Sequence, residues 1–179
     1  MSNKKGAIVA IEPSTGELLS LVSAPSYNPN LLVGRERSKN YFELYKDSIY
    51  KPLIDKGLLS TFPAGSPFKV IVGLIALQEN VINDKNTILC GGEYIYGRNK
   101  KSMKCHCGGG YRNIYNAISE SCNSYFADAY RKTISKDNNI SKNFDMWSEG
   151  VKSFGLGNYL NNDLPIGKKG MIPTSEFYD

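Results

Sequence analysis

Apolar positions change their spacing along this chain, strand-like near the start and helix-like over most of the remainder. Ala7-Ile8-Val9-Ala10-Ile11 is rich in β-branched residues and predicts a strand. Glu12-Pro13-Ser14-Thr15-Gly16 is turn chemistry, and Glu17 to Val22 predicts a second strand, so the chain opens on a β-hairpin. Ala24-Pro25-Ser26-Tyr27-Asn28-Pro29-Asn30 breaks regular structure with two prolines. Leu31 to Thr61 is mixed, with helical spacing at Tyr41, Leu44 and Tyr45. Pro63-Ala64-Gly65-Ser66-Pro67-Phe68-Lys69 then runs into a long apolar stretch from Val70 that ends near Asn80 and predicts a buried helix.

Beyond it, Asn83 to Asn86 reads as a loop and Cys90 to Gly97 as a short extended piece between glycines. Lys104 to Gly110 is glycine-rich and expected to be irregular. Tyr111 to Glu120, with Ile114 and Ile118 four apart, predicts a short helix. Ser121-Cys122-Asn123 interrupts it, and Tyr125, Phe126, Ala129, Tyr130 and Thr133 start another helix on a new phase. A third is expected over Asp145 to Phe154, with Met146, Trp147 and Val151 inward and Gly155 as its stop. The rest reads as loop up to Asp179. The pattern predicts one α/β (α+β) domain over residues 1–179, a hairpin followed by a mainly helical block.

Composition narrows the function classes only slightly. The 179 residues carry a net charge of +5, with basic residues in short groups such as Lys4-Lys5, Lys100-Lys101 and Lys168-Lys169. A solvated surface accounts for those pairs, and no nucleic-acid-binding motif accompanies them. No apolar run approaches the roughly 18 residues of a membrane span, and Met1-Ser2-Asn3 does not begin a signal peptide.

Chemistry enters at Ser66 and Lys69. Three residues apart, they share one face of a first helical turn, an arrangement in which an amine sits beside a hydroxyl as its base. Ser66 as a helix N-cap with Pro67 at N1 explains two of these residues. It leaves Lys69 unexplained, because a cation in the first turn opposes the helix dipole. The same field and apolar neighbours would lower the lysine pKa and supply a neutral amine. Ser121 and Asn123 add a hydroxyl able to relay a proton and an amide able to hold a carbonyl or the lysine, although Asn123 also reads as an N-cap.

Ser-x-x-Lys followed by Ser-x-Asn is the ordered pair of penicillin-binding proteins and serine β-lactamases. The chain resembles part of a class B penicillin-binding protein, a peptidoglycan D,D-transpeptidase of the elongation (rod-shape) type. Ala7 to Pro25 and its Ala-Pro-Ser-Tyr-Asn-Pro continuation are similar to the opening strand pair of that domain. Pro63 to Ser66 resembles the approach to the active serine, and Ile118 to Phe126 the second motif. Phe154-Gly155-Leu156-Gly157 and Gly170 to Thr174 follow the usual path beyond it. The resemblance implies a β-lactamase/transpeptidase-like fold. It implies Ser66 as acylated nucleophile, Lys69 as general base, Ser121 as proton relay and Asn123 as a substrate-amide or lysine contact. The donor would be a stem peptide ending in D-Ala-D-Ala, and β-lactams would trap Ser66 as an ester. Implied partners of the parent protein are the membrane and a polytopic glycan polymerase; implied location is the periplasmic side of the inner membrane, reached by an anchor absent here. No cofactor is implied for the chemistry.

The family's third motif, Lys-Thr-Gly or Lys-Ser-Gly, is absent: Lys132-Thr133 is followed by Ile134, and Lys168-Lys169-Gly170 lacks a hydroxyl. The expectation is a truncated transpeptidase domain that cannot turn over substrate alone. Serine β-lactamases share the first two motifs, and a penicillin-binding sensor domain would keep acylation without cross-linking; both stand as alternatives.

Cys90, Cys105, His106 and Cys107 lie in one glycine-rich segment, and Cys122 sits inside the second motif. Three readings stay open. The first four residues can supply about four N/S ligands to a structural zinc, although adjacent ligands at 105, 106 and 107 strain a tetrahedron. A Cys90–Cys105 or Cys90–Cys107 disulfide would suit a periplasmic location. Otherwise the thiols are buried and unpaired, with His106 a plain loop residue. Cys122 reads as a small apolar filler.

Overall fold

A computed structural model describes residues 4–160, 164 and 166–178. Contacts divide the chain into two compact units, Met1–Phe62 with Tyr159–Lys168, and Pro63–Asn158 with Lys169–Asp179.

The first unit contains the expected hairpin. β1 (Gly6–Ile11) and β2 (Leu18–Ala24) pair antiparallel from Gly6 opposite Ala24 to Ile11 opposite Leu18, with a bulge between Ala10 and Ile11. A 3-10 turn at Pro29–Leu32 is capped by the Asn28 side chain and leads to α1 (Arg37–Lys46). α2 (Lys56–Leu59) is a single turn whose first amides, Gly57 and Leu58, donate to the Asp55 carboxylate. Lys56 is buried, only 2% exposed. Its ammonium donates to the carbonyls of Pro25, Lys51 and Ile54 at 3.1–3.4 Å, so it gathers backbone acceptors that no strand or helix satisfies. Burial lowers its pKa, with the Lys5 charge acting the same way.

The second unit is the helical block. α3 (Phe68–Gln78) packs on α4 (Ile114–Ser119), α5 (Asn123–Ile134) and α6 (Ile140–Ser153). Val72, Ile75, Ala76, Ile114, Ala117, Tyr125, Phe126, Ala129, Trp147 and Val151 form its core. Each buried side chain of Val, Ile or Phe size contributes about 1.5–3 kcal/mol. Gly73 permits the close approach of α3 and α5, since a Cβ there would sit 3.2 Å from the Phe126 ring. The Trp147 ring stacks on Phe144 at 5.9 Å and meets Phe68 and Tyr130 edge-on.

α6 starts earlier than the apolar spacing suggests, because Asn139 caps it through the Lys142 amide. Its end agrees with expectation: Gly155 takes a positive φ of 85° just past the last turn. Two small sheets replace the expected single extended piece. β3 (Ile88–Cys90) pairs with β6 (Gly110–Arg112), and β4 (Glu93–Tyr96) with β5 (Lys101–Lys104). β5 was not foreseen, since Lys-Ser-Met-Lys has no strand-like composition and is ordered only by pairing with β4. The end of the chain is loop apart from a 3-10 turn at Ser175–Phe177, tied to α6 by two hydrogen bonds from Ser175 to the Asp145 carboxylate. Residues 161–163, 165 and 179 of the expected loop lie outside the described residues.

Lys56→Met should lower the unfolding free energy by about 1–3 kcal/mol in denaturant titrations, because the partly buried carbonyls of Pro25, Lys51 and Ile54 lose a charged donor. An unchanged midpoint would show that solvent satisfies them instead.

Candidate active site

The loop Pro63–Pro67 feeds α3, and its Gly65 has φ 67°. Ser66 does not cap the helix, contrary to expectation. Pro67 occupies the N-cap position without a side-chain cap bond. The first turn is closed instead by backbone bonds from Phe68 to Gly65, Lys69 to Ser66 and Val70 to Pro67 at 3.0–3.3 Å. The Ser66 hydroxyl is therefore committed elsewhere, to Lys69 and Ser121.

Lys69 Nζ donates to Ser66 Oγ at 3.3 Å, to Ser121 Oγ at 2.8 Å and to the Ser121 carbonyl at 2.7 Å. Ser121 Oγ donates to Ser66 Oγ at 2.9 Å, which closes a triangle of one amine and two hydroxyls. Burial lowers the Lys69 pKa below its ordinary value, against the charges of Cys105, Cys122 and Cys107. Desolvation thus increases the neutral fraction that can accept a proton.

Ser121 is held in this triangle by the end of α4. It has φ 54°, a left-handed conformation in which a residue other than glycine costs roughly 1–2 kcal/mol. The amides of Ser121 and Cys122 donate to the carbonyls of Ile118 and Ala117 at 3.1 and 2.8 Å, the paired bonds of a Schellman motif. Serine occupies the C′ position where glycine is preferred. The strain coincides with the hydroxyl that Lys69 contacts.

Asn123 is the first residue of α5, not its cap; Cys122 holds that position. The Asn123 side-chain nitrogen donates to the Lys104 carbonyl at 2.7 Å, and its backbone amide to Cys105 Sγ at 3.1 Å. No described bond joins it to Lys69. With its nitrogen engaged, the amide oxygen is the atom left to accept from a substrate N–H.

Behind this residue four thiols converge. The Sγ atoms of Cys90, Cys105, Cys107 and Cys122 all lie within 4.8 Å of one another. Cys105 is 3.2 Å from Cys107 and 3.6 Å from Cys122, and Cys107 is 3.4 Å from Cys90. All four are free thiols, so neither expected disulfide is present. His106 is exposed and is not in the group, and Cys122 takes its place. The filler reading of Cys122 was therefore incomplete: it is fully buried, but its sulfur faces three others. The edge of a zinc–thiolate tetrahedron is about 3.8 Å for Zn–S bonds near 2.3 Å, so the spacing and the soft donor set suit zinc.

Burial pushes the Cys105 thiol up, but hydrogen bonds from the Ser124 backbone and from Cys107 outweigh it and bring it down to about 5. Burial raises Cys107 and Cys122. Cys90 donates to Ser124 Oγ. Arg112 bridges the Cys107 carbonyl at 2.6 Å and Glu120 at 2.8 Å, which fastens the cysteine loop to the end of α4. The four candidates Ser66, Lys69, Ser121 and Asn123 were legible in the sequence. Arg112 and the Lys104 carbonyl were not, because neither carries a motif.

The chain as a whole is similar to known proteins. A family model described as the penicillin binding protein transpeptidase domain matches residues 6–179. The peptidoglycan D,D-transpeptidase MrdA of Acinetobacter baumannii is 31% identical over 184 residues, covering 99% of this chain and 25% of that protein. The chain spans about a quarter of the length of the curated relatives it matches first. The crystal structure of Pseudomonas aeruginosa PBP2 in complex with WCK 5153 superposes with a TM-score of 0.79 at 31% identity, covering 99% of this chain and 38% of that one. Penicillin-binding protein A from M. tuberculosis, as an imipenem acyl-enzyme complex, does so at 0.76 and 27% identity, covering 96% and 39%.

Ser121→Gly should be more stable than Ser121→Ala by about 1 kcal/mol in denaturant titrations, since only the alanine keeps a Cβ at positive φ. Both should lose about 10²–10⁴-fold in acylation by a fluorescent penicillin in the intact protein, because both remove the hydroxyl that joins Lys69 to Ser66. Equal stabilities would contradict the strain described here.

Proposed function

Because the chain belongs to the penicillin-binding protein transpeptidase family, we propose that it carries the nucleophile half of a serine D,D-transpeptidase site that cross-links peptidoglycan. The observation that carries this reading is the Lys69 amine held between two hydroxyls, Ser66 and Ser121. Neutral Lys69 takes the Ser66 proton, directly or through Ser121, as Oγ attacks the penultimate D-alanine carbonyl of a stem peptide. The Ser66 amide, at the start of α3, is one donor to the developing oxyanion. The C–N bond to the terminal D-alanine breaks, and that amine leaves with a proton passed from Lys69 through Ser121. The amine of a neighbouring stem then attacks the ester, forms the cross-link and returns the proton to Ser66. A β-lactam enters by the same attack; its ring C–N bond opens and Ser66 remains an ester. The Asn123 amide oxygen holds the donor peptide.

The family match running through both compact units supports reading them as parts of one transpeptidase domain. The stem-peptide substrate supports a location for the parent protein on the periplasmic side of the inner membrane, where a membrane anchor would hold it and a glycan polymerase would be its partner. No described helix is long and apolar enough to cross a membrane.

The four thiols support a structural zinc held by Cys90, Cys105, Cys107 and Cys122. When bound, the ion would neutralise thiolate charge and tie the β3–β6 and β5 ends to α5. The chemistry of acyl transfer stays with Ser66, Lys69 and Ser121.

Ser66→Ala in the intact protein should abolish both fluorescent-penicillin labelling and cross-linking. Normal cross-linking without labelling would point to a sensor, and no change in either would end the catalytic reading. Protein purified without chelator should contain about one zinc per chain, and Cys90→Ser with Cys107→Ser should remove it and lower the melting temperature. Metal-free wild type with an unaltered melting temperature would exclude the zinc.

A further inference from the structure

In the acyl transfer proposed above, the Ser121 hydroxyl has to stay within reach of Ser66 while Lys69 gains and loses a proton. The bonds between Lys69 and Ser121 change as that proton moves, so they are an uneven hold. α4 is only six residues long, too short to fix its own end by helical bonds alone. Just beyond it the chain turns left-handed at Ser121, with φ 54°. A strained turn of this kind persists only where its surroundings over-determine it. Three such holds fall within the second motif: Ser121 on Lys69, Cys122 on Cys105, and Asn123 on the Lys104 carbonyl. A fourth acts one residue earlier, on Glu120, the C-cap of α4.

Arg112 supplies it. This residue ends β6, opposite Ile88 of β3, two positions before α4 begins. Its guanidinium meets the Glu120 carboxylate at 2.8 Å, so one side chain links the entry of α4 to its exit. The same Nη2 donates to the Cys107 carbonyl at 2.6 Å, and Nη1 to the Tyr111 carbonyl at 2.9 Å. These backbone anchors fix the direction in which the guanidinium faces Glu120. The Arg112 side chain is only 13% exposed, and its buried Nε has no hydrogen-bond partner among the described residues. A desolvated cation with one N–H unpaired is a costly way to fasten a loop, and a half-exposed ion pair adds little stability by itself. Arginine has one property that Lys69 lacks here: it stays protonated through every step of the reaction.

We propose that Arg112 is a positioning residue for acyl transfer: through Glu120 it holds the turn that keeps the Ser121 hydroxyl against Ser66. The inference rests on the transpeptidase reading and deepens it. Arg112 bonds to none of Ser66, Lys69 and Ser121 among the described residues; it acts on the backbone one residue ahead of the hydroxyl. Without the pair, the end of α4 relaxes away from its left-handed turn and the hydroxyl swings off the line between Lys69 and Ser66. A displacement of about 1 Å at a reacting group is enough to slow a reaction on the order of a hundredfold.

The test follows acylation of the intact protein by a fluorescent penicillin over a range of concentrations, which separates the rate constant from the half-saturation point. Arg112→Met and Glu120→Ala should each lower the rate constant about ten- to hundredfold and leave half-saturation within about twofold. The double variant should be no slower than the slower single, because both changes remove one hold. Glu120→Gln keeps an oxygen for the guanidinium and should recover most of the rate. In a Ser121→Gly background Arg112→Met should cost nothing further, since the hydroxyl it positions is gone. Glu120 is 42% exposed, so its truncation leaves no cavity and the test does not depend on how well Arg112→Met folds. Unchanged rate constants in both single variants overturn the positioning role and leave the catalytic reading standing. A loss confined to Arg112→Met overturns it in favour of a role in the Cys107 loop alone. Glu120→Gln as slow as Glu120→Ala overturns it in favour of a field effect of the carboxylate. A full further loss in the Ser121→Gly background overturns it as well, because Arg112 then acts by another route. No penicillin labelling of the wild type overturns the transpeptidase reading and this inference with it.

Discussion

The contact on which the second unit's chemistry depends is the ammonium of Lys69 against Ser121. It joins positions 52 residues apart and draws the start of α3 to the joint between α4 and α5. Two of its bonds go to one residue, the carbonyl and the hydroxyl of Ser121, which fixes that side chain's direction as well as its place. The third goes to Ser66. A lysine at the N-terminal turn of an apolar helix is unfavourable in isolation, through both the helix dipole and burial. The carbonyl of Ser121 offsets part of that cost, and the remaining depression of its pKa is what suits the amine to act as a base.

The Ser121 backbone repeats this trade at a second position. A left-handed C′ residue ends α4 and turns the chain directly into α5, so that Ser121, Cys122 and Asn123 point three ways: to Lys69, to the thiol cluster and to β5. Glycine would make the turn at lower cost but would leave Lys69 without the hydroxyl it contacts. The buried α3–α5 contact around Gly73 and the aromatic group around Trp147 hold the geometry against this strain.

The thiols connect this turn to the small sheets. Cys90 ends β3, Cys105 and Cys107 follow β5, and Cys122 caps α5, so the cluster gathers three pieces of irregular chain that have little apolar core of their own. Backbone amides at the start of α5 hydrogen-bond to Cys105, which favours thiolate there, whereas burial favours the neutral thiol at Cys122. The same short stretch of chain thus faces Ser66 and Lys69 on one side and the sulfur cluster on the other.

The residues alone determined the hairpin, the helical block and the choice of Ser66, Lys69, Ser121 and Asn123 as candidates, because these follow from local patterns: β-branched runs, helical spacing and two short motifs in order. The tertiary structure decided everything that required distant segments to meet. The sequence placed His106 among the ligands because it adjoins Cys105 and Cys107; folding turned it to solvent and brought in Cys122 from the far side of α4. Ser66 reads as a cap because serine before Pro67 favours one, and only the approach of Ser121 takes its hydroxyl away. β5 has no strand signal of its own and is ordered by β4. Local composition sets what each segment can form, but ligand sets, hydroxyl partners and edge strands are settled by which long-range contacts the packed core allows.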